Sequence, residues 1–460
     1  MKSINPWDPT DVVLEIEPTP IDALSETIAQ AAEAQAEWAA SGGAARAAAL
    51  DRLADHIDAA ADSLARWIMR EVGKPIAEAK GEVARAGAIA RYHAQAALAP
   101  EGTAIPANAP SRLVMVRRRP IGVAGLITPW NFPLAIPLWK AAPALAAGNS
   151  VVLKVSPEAI GVGRQLARIF EECLPPGVAS VVYGDAEVGE ALVADERIGV
   201  ISFTGSAGVG SRVVAAAAGR GAPVQAEMGG KNASIVLADA DLGQAAKTIA
   251  HAAMGYAGQK CTATSRVIVE APVVAEFLPL LVDAVRAQPV GDPADGATVV
   301  GPMITAAAAE RASSAVEEAC GRGAEPLVGV SGGRPAVGGA GGTLMQPVVM
   351  RVASSQDPVA QEEIFAPVLA VLEAADADEA LEVVNDAEYG LTAAIFTQNL
   401  DRALDFADRV DTGMVRVNQS TAGVDLHAPF GGCKASSYGM REQGPDATDF
   451  FTETYTVSIS

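Results

Sequence analysis

The chain is poor in cysteine, in aromatic residues and in positive charge, and it lacks any long uninterrupted apolar run. Its four cysteines, Cys173, Cys261, Cys320 and Cys433, are scattered without paired spacing. That argues against a disulfide framework or a metal site and suits a reducing, cytoplasmic compartment. Lys and Arg number 34 against 55 Asp and Glu, a net charge of −21. A phosphate-binding surface needs the opposite sign, so nucleic acid is not expected as a partner. Mean hydropathy is positive, yet the longest apolar stretch, 134–153, is broken by Trp139, Lys140, Pro143, Gly148 and Asn149. No membrane span is therefore expected. The first residues carry no apolar signal core, so export is not expected either. What is abundant is hydrophobic residues, half of the total, with 44 glycines and 29 prolines. At 460 residues this composition describes a packed globular protein of two or three domains.

Along the chain, 21–40 and 45–72 read as two helices; in the second, Leu50, Leu53, Ile57, Leu64, Trp67 and Ile68 recur at helical spacing. Gly73, Lys74 and Pro75 stop it, a third helix follows over 76–98, and a loop runs from Pro100 to Pro110. Residues 112–119 form a charged strand, either a solvated edge or an arm toward another subunit. From Ile121 short apolar strands alternate with helices: 121–127, 151–154, 180–183, 199–203 and 223–227, then 233–237, 265–270, 364–371, 392–397 and 413–417. Such alternation predicts an α/β protein with parallel sheets that bind ligands beyond their carboxyl ends. Val330–Gly342 reads as a surface loop, and 450–460 as a β-prone segment needing a partner.

Several stretches carry chemistry. Cys261 stands in a polar turn, Gly258-Gln259-Lys260-Cys261-Thr262, after an alanine-rich helix. A thiol there, beside a lysine and exposed backbone amides, is expected to ionise into a nucleophile, although a lone cysteine is more often structural. Asn131 lies between Pro129 and Pro133 just after a strand; it is an oxyanion donor or an ordinary turn residue. Lys154 ends a strand where a cation meets a ribose or phosphate, or simply water. Residues 203–210, FTGSAGVG, end another strand and open a helix onto which a pyrophosphate fits. Gly161 and Gly163 do not make a dinucleotide fingerprint, because Leu166 stands where its last glycine belongs. Glu227 ends a strand before flexible glycines and suits a general base if desolvated. Glu363 offers an acceptor to a ribose hydroxyl, Phe365 an apolar wall, and 429–434 a tight turn.

Together, PWNFP (129–133), FTGS (203–206), EMGGKN (227–232), GQKCTATSRV (258–267), EEIF (362–365) and PFGG (429–432) resemble the aldehyde dehydrogenase superfamily from about Asn5 to the end. The resemblance implies a Rossmann-like cofactor domain (1–101 and 121–229), an α/β catalytic domain (230–435) and a small β oligomerisation domain (102–120 and 445–460). It implies Cys261 as nucleophile, Glu227 as base, Asn131 with the Cys261 backbone amide as oxyanion donors, and Lys140 near the nicotinamide. Thr128, Pro129, Trp130, Lys154, Ser156, Gly205, Ser206, Met228, Gly229, Glu363 and Phe365 look like cofactor contacts. Ala233 and Ala366 depart from a common proline and glycine, and the latter bears on the placing of Phe365. Residues 133–143, 420–430 and 434–444 look more narrowly like the 2-oxoglutarate semialdehyde (2,5-dioxopentanoate) dehydrogenases. Where most of the superfamily has Ser-Gly, this chain has Ser436 and Ser437.

The expected reaction is NAD-dependent oxidation of an aldehyde to an acid through a cysteine thioester, with NADP also accepted because Pro157 stands where a ribose-binding carboxylate is common. The expected partners are a small aldehyde and a second copy of the chain, as a homodimer or homotetramer. A short semialdehyde is expected, 2-oxoglutarate semialdehyde before succinate semialdehyde, with Arg91, Arg441, Ser420 and Thr421 as candidate receptors for its carboxylate. Alternatively Phe132, Trp139, Tyr256 and Phe430 line an apolar funnel for neutral aliphatic or aromatic aldehydes. A Cys-Glu-Lys amidase and a non-catalytic scaffold are the other classes. The dinucleotide-binding stretches speak against the first, and the intact Cys261, Glu227 and Asn131 against the second.

Overall fold

Five expected strands form one parallel sheet in the order Val224–Glu227, Ile198–Thr204, Val123–Ile127, Ser150–Lys154, Ala179–Val182. The structure, a computed structural model, describes residues 1–99, 102–108, 112–339 and 341–460. Val123–Ile127 and Ser150–Lys154 are buried throughout, as parallel strands covered by helices on both faces must be. Ser437–Tyr438, from far along the chain, adds an antiparallel sixth strand beside Val224–Glu227. Register brings Lys154 level with Ile127, and Thr204 level with Glu227, so the carboxyl ends of four strands share one edge.

A second sheet of seven strands runs Glu325–Val328, Val348–Arg351, Val368–Ala374, Arg266–Glu270, Ala233–Val236, Thr392–Phe396, Met414–Val417, parallel except for the first. One apolar cluster surrounds it, and two others cover the first sheet. A third, antiparallel sheet joins Thr452–Ile459, Leu113–Pro120 and Gly102–Ile105. The charged arm and the β-prone tail are thus each other's partners within one chain.

Four expectations need correction. The helix expected over 45–72 is two, Gly43–Ala59 and Ala61–Val72, broken at Ala60 (φ −95°, ψ 8°). No local breaker announces this; the break lets Ala61–Val72 pack on both Ile76–Ala96 and Ile160–Cys173. The strand expected over 364–371 starts at Val368, because Phe365 sits at φ 56° and cannot join a ladder. Strands Glu325–Val328 and Val348–Arg351 were not foreseen, and the glycine-rich run holds short two-stranded ladders at Val330–Ser331 with Arg334–Pro335 and at Val337–Gly338 with Leu344–Met345. The loop expected over 100–110 contains the strand Gly102–Ile105; Pro100, Glu101, Ala109, Pro110, Ser111 and Ala340 lie outside the described residues.

Candidate active site

After the helix Leu242–Met254 the chain turns with Tyr256 (φ 54°) and Ala257 (φ 53°) in the left-handed region, a conformation that costs such residues about 1–3 kcal/mol each. The surroundings hold it. The Tyr256 hydroxyl donates to the Val72 carbonyl at 3.0 Å, and the buried Gln259 amide donates to Tyr256 and Pro302 and accepts from the Ile304 N–H. Carbonyls on both sides of the nucleophile candidate are bound in turn. Asn131 Nδ2 donates to Gln259 O at 3.2 Å, Asn232 Nδ2 to Cys261 O at 2.7 Å and to Ala263 O at 2.8 Å, and Thr421 Oγ to Thr262 O at 2.8 Å. Cys261 is therefore presented on a turn with little freedom. One amide hydrogen of Asn131 is spent on Gln259, which leaves the second for a reacting oxygen.

The thiol itself corrects an expectation. Lys260 directs its ammonium to Glu78, 2.7 Å away. Burial pushes the Cys261 thiol up, and the Glu363, Glu227 and Glu442 carboxylates push the same way. These surroundings disfavour the thiolate.

Glu227 is buried; its Oε2 accepts from Ser437 Oγ at 2.6 Å, and its Oε1 has no partner among the described residues. Burial and then the nearby Glu442 hold its carboxyl well above the ordinary range, against Ser437, Lys140 and Arg441. Lys140 is also buried. It donates to Ser202 Oγ at 2.8 Å and to Glu442, while Ser202 donates to Gln225 at 2.9 Å. Burial pushes the Lys140 ammonium down and Glu442 opposes it. This polar network spans both halves of the chain. Gly431 makes room for it, since a Cβ there would press on Glu227 Oε1 and the Arg441 side chain.

The expected cofactor contacts gather at the carboxyl edge of the first sheet. Thr128 and Thr204 are buried with hydroxyls that lack partners among the described residues. Lys154 is 7% exposed and its ammonium makes no hydrogen bond to them; burial pushes it down while Glu158 and Asp185 oppose. Ser156 Oγ donates to Glu158 at 2.5 Å. Gly205 N–H donates to the Glu227 carbonyl at 3.1 Å, and Ser206 precedes the first turn of the helix Ala207–Gly219 without a side-chain cap. Met228 packs where a side chain on Gly210 would stand, and its N–H donates to Ser436 O at 2.8 Å. Glu363 Oε1 accepts from Gly230 N–H at 3.0 Å, and its carboxylate fills the space a Cβ on Gly229 would need. Burial pushes Glu363 up to about 7. Phe365 meets Trp130, next to Pro129, edge to face at 5.7 Å. Orphaned hydroxyls, a buried cation without a hydrogen bond, an open helix start and a protonatable acceptor suit a dinucleotide's phosphates and ribose hydroxyls.

Of the expected substrate contacts, Trp139 and Phe430 pack together at 5.3 Å, and the buried Trp139 indole N–H has no acceptor among the described residues. Phe132 carries the Lys74 ammonium 3.7 Å above its ring. Three candidates are corrected. The Thr421 hydroxyl is bound to Thr262 O and Thr264, so it braces the turn instead of facing a ligand. Tyr256 is fully buried behind it. Arg91 pairs with Asp55 and Asp58 on the surface. Ser420 accepts from Ala422 N–H, and Arg441 donates to the Gly432 carbonyl beside Glu227. Glu442, Asn232, Ser202 and Gln225 were missed. Asn232 closes a stretch already noted, EMGGKN, and Glu442 follows Arg441; pairing across 302 residues leaves no local signal.

Residues 1–457 match the aldehyde dehydrogenase family. An alpha-ketoglutaric semialdehyde dehydrogenase of Bacillus subtilis is 40% identical over 463 residues, covering 100% of this chain and 94% of the relative. An alpha-ketoglutarate semialdehyde dehydrogenase of Haloferax volcanii is 40% identical, covering 98% and 94%. A vanillin dehydrogenase of Corynebacterium glutamicum is 37% identical, covering 99% and 93%. Among solved structures, an NAD-dependent aldehyde dehydrogenase from Sinorhizobium meliloti superposes with a TM-score of 0.96 at 34% identity, covering 100% of this chain and 91% of that one. A glyceraldehyde-3-phosphate dehydrogenase from Methanocaldococcus jannaschii, complexed with NADP, gives 0.94 at 32% identity, covering 100% and 99%. With a fold, a braced cysteine turn and a match over nearly its full length in agreement, this chain belongs to the aldehyde dehydrogenase family and is an oxidoreductase acting on aldehydes.

Proposed function

We propose that the protein oxidises a short semialdehyde bearing a carboxylate, 2-oxoglutarate semialdehyde before succinate semialdehyde, to the corresponding acid with NAD, accepting NADP as well. A dinucleotide would supply the hydride acceptor, and Lys154, Ser156, the 203–206 turn, Glu363 and the wall of Trp130 and Phe365 would hold it. The Cys261 thiol releases its proton to solvent, and the thiolate adds to the aldehyde carbon. The resulting alkoxide accepts hydrogen bonds from the free amide hydrogen of Asn131 and the Cys261 N–H, and its collapse, with loss of hydride from the same carbon, leaves the thioester. In the second half, Glu227 removes a proton from water, hydroxide adds to the thioester, and the thiolate leaves as the acid is released. The Lys140–Glu442 pair lies next to that base.

The observation that carries the substrate class is the indole N–H of Trp139, buried in the aromatic wall without an acceptor. A hydrocarbon tail leaves that donor unsatisfied, whereas an oxo or carboxylate oxygen accepts from it, a difference of about 1–3 kcal/mol. It outweighs the long-range repulsion of an anion by a chain at −21. The relatives named for the alpha-ketoglutarate semialdehyde support the same choice. The vanillin relative supports the neutral alternative. The test compares kcat/KM for 2-oxoglutarate semialdehyde, succinate semialdehyde, hexanal and benzaldehyde. The acids are expected to lead by tenfold or more, and neutral aldehydes that match them overturn the carboxylate reading.

A division into cofactor, catalytic and oligomerisation parts accords with the three sheets. The third sheet ends in Ile105, Leu113 and Ile459, all exposed, and its outer strands Thr452–Ile459 and Gly102–Ile105 each have one edge unpaired among the described residues. Open edges of this kind favour pairing with a second copy, in support of a homodimer or homotetramer. Among the described residues no helix is long and apolar enough to cross a membrane. The four free cysteines suit the reducing cytoplasm.

A further inference from the structure

Ser437 stands where most of the resembled superfamily has glycine, and the fold gives its extra hydroxyl a task. The strand Ser437–Tyr438 runs antiparallel to Val224–Glu227 with Ser437 directly opposite Glu227. Its Oγ accepts from the Gly432 N–H at 2.6 Å and donates to Glu227 Oε2 at 2.6 Å. With the backbone amide on its lone pair, the hydroxyl is oriented and its proton is aimed at the carboxylate. Gly431 lies against the other oxygen of the same carboxylate. The two groups hold Glu227 between the 429–434 turn and the edge strand.

We propose that Ser437 is a positioning residue for the general base, holding Glu227 in one place and favouring its ionised form between turnovers. The inference rests on the reading of Glu227 as the base of thioester hydrolysis. A hydrogen bond donated to a carboxylate stabilises the charged form. Here it counters burial and the neighbouring Glu442, as Lys140 and Arg441 also do; the Cys261 thiol lies within reach of the Glu227, Glu442 and Glu363 carboxylates. A glycine at 437 supplies no donor, so in a chain of that kind Glu227 must find another partner or remain protonated to higher pH.

The test measures the NADH burst and the steady-state rate separately, across pH, in Ser437→Ala, Ser437→Gly and Ser437→Thr. Alanine and glycine are expected to leave the burst within about twofold, because acylation does not use the base. They are expected to slow steady-state turnover at pH 7 about tenfold and to move its acid limb to higher pH. Threonine, which keeps the hydroxyl, is expected to restore both. In Glu227→Gln, Ser437→Ala should add no further loss. Unchanged acid limbs in the alanine and glycine variants overturn the proposal, provided Glu227→Gln shows a burst and slow turnover. Wild-type turnover of Glu227→Gln overturns the base assignment beneath it, and the two failures are thereby told apart.

Discussion

The ammonium of Lys260 lies 2.7 Å from Glu78, although its neighbour in sequence is Cys261. A cation adjacent along the chain thus serves a helix 182 positions earlier, and the thiol is left among carboxylates. Alkylation of the free protein by iodoacetamide should be slow at neutral pH and accelerate only above the ordinary thiol range, since burial and three carboxylates disfavour the thiolate. Fast alkylation at pH 7, at the rate of an activated cysteine, contradicts the arrangement.

Replacing the proposed nucleophile and the proposed base should separate two half-reactions. Cys261→Ala is expected to abolish oxidation. Glu227→Gln is expected to give a burst of NADH, close to one equivalent per site, and then turnover slowed by about 100-fold or more, the usual scale of general base catalysis. Stopped-flow absorbance resolves the two, and a steady trace at the wild-type rate shows that water is activated by another group.

As the proposed ribose acceptor, Glu363 should make cofactor affinity depend on pH. A ribose hydroxyl donates best to the carboxylate form, and burial has pushed that group up to about 7. NAD should bind more tightly as pH rises through that value. Glu363→Gln should flatten the dependence while weakening binding at high pH, as read by fluorescence titration. The same group works against stability in the opposite sense. Its raised folded value makes a contribution present below the usual carboxylate range, lost as pH rises through about 7.

Cofactor choice should turn on Glu158, which holds Ser156 at 2.5 Å and faces Lys154. Its carboxylate repels a 2′-phosphate but stands one place beyond Pro157. Both cofactors are therefore expected to work, with less than about a thousandfold preference, or roughly 4 kcal/mol. Glu158→Gln should shift that preference toward NADP about tenfold. Kinetic constants for the two cofactors decide; a larger preference in the wild type sinks dual use.

Lys74 supplies a stability test. Its ammonium is fully buried, pairs with Glu82 and lies over the Phe132 ring, while Glu82 Oε1 accepts from Leu134 and Ala135 N–H at the start of the helix that carries Lys140. Lys74→Met leaves that carboxylate without its cation and should cost about 3–5 kcal/mol in denaturant unfolding. Adding Glu82→Gln should recover part of the loss, and additive losses in the double variant argue against a coupled pair.

The sequence by itself determined the class of fold and the chemistry of the strand ends. Short apolar runs alternating with helices leave little choice but parallel sheets, and Lys154, Thr204 and Glu227 stand at carboxyl edges because each ends such a run. The polar turn marked Cys261 and the flanking prolines marked Asn131 as candidates only, and the family resemblance alone gave them roles. What only the tertiary structure decided is which charges meet. Lys260 turns to Glu78, Arg91 to the surface acids Asp55 and Asp58, Lys140 to Glu442 and Ser437 to Glu227. Periodicity reports which face of an element is apolar, but a salt bridge or a positioned hydroxyl depends on register between strands and helices far apart in the chain. Ser437 reaches Glu227 across 210 residues only because an edge strand closes antiparallel on the first sheet. The resistance of the Cys261 thiol to ionisation follows from that same assembly, since burial and converging carboxylates are properties of the packed whole.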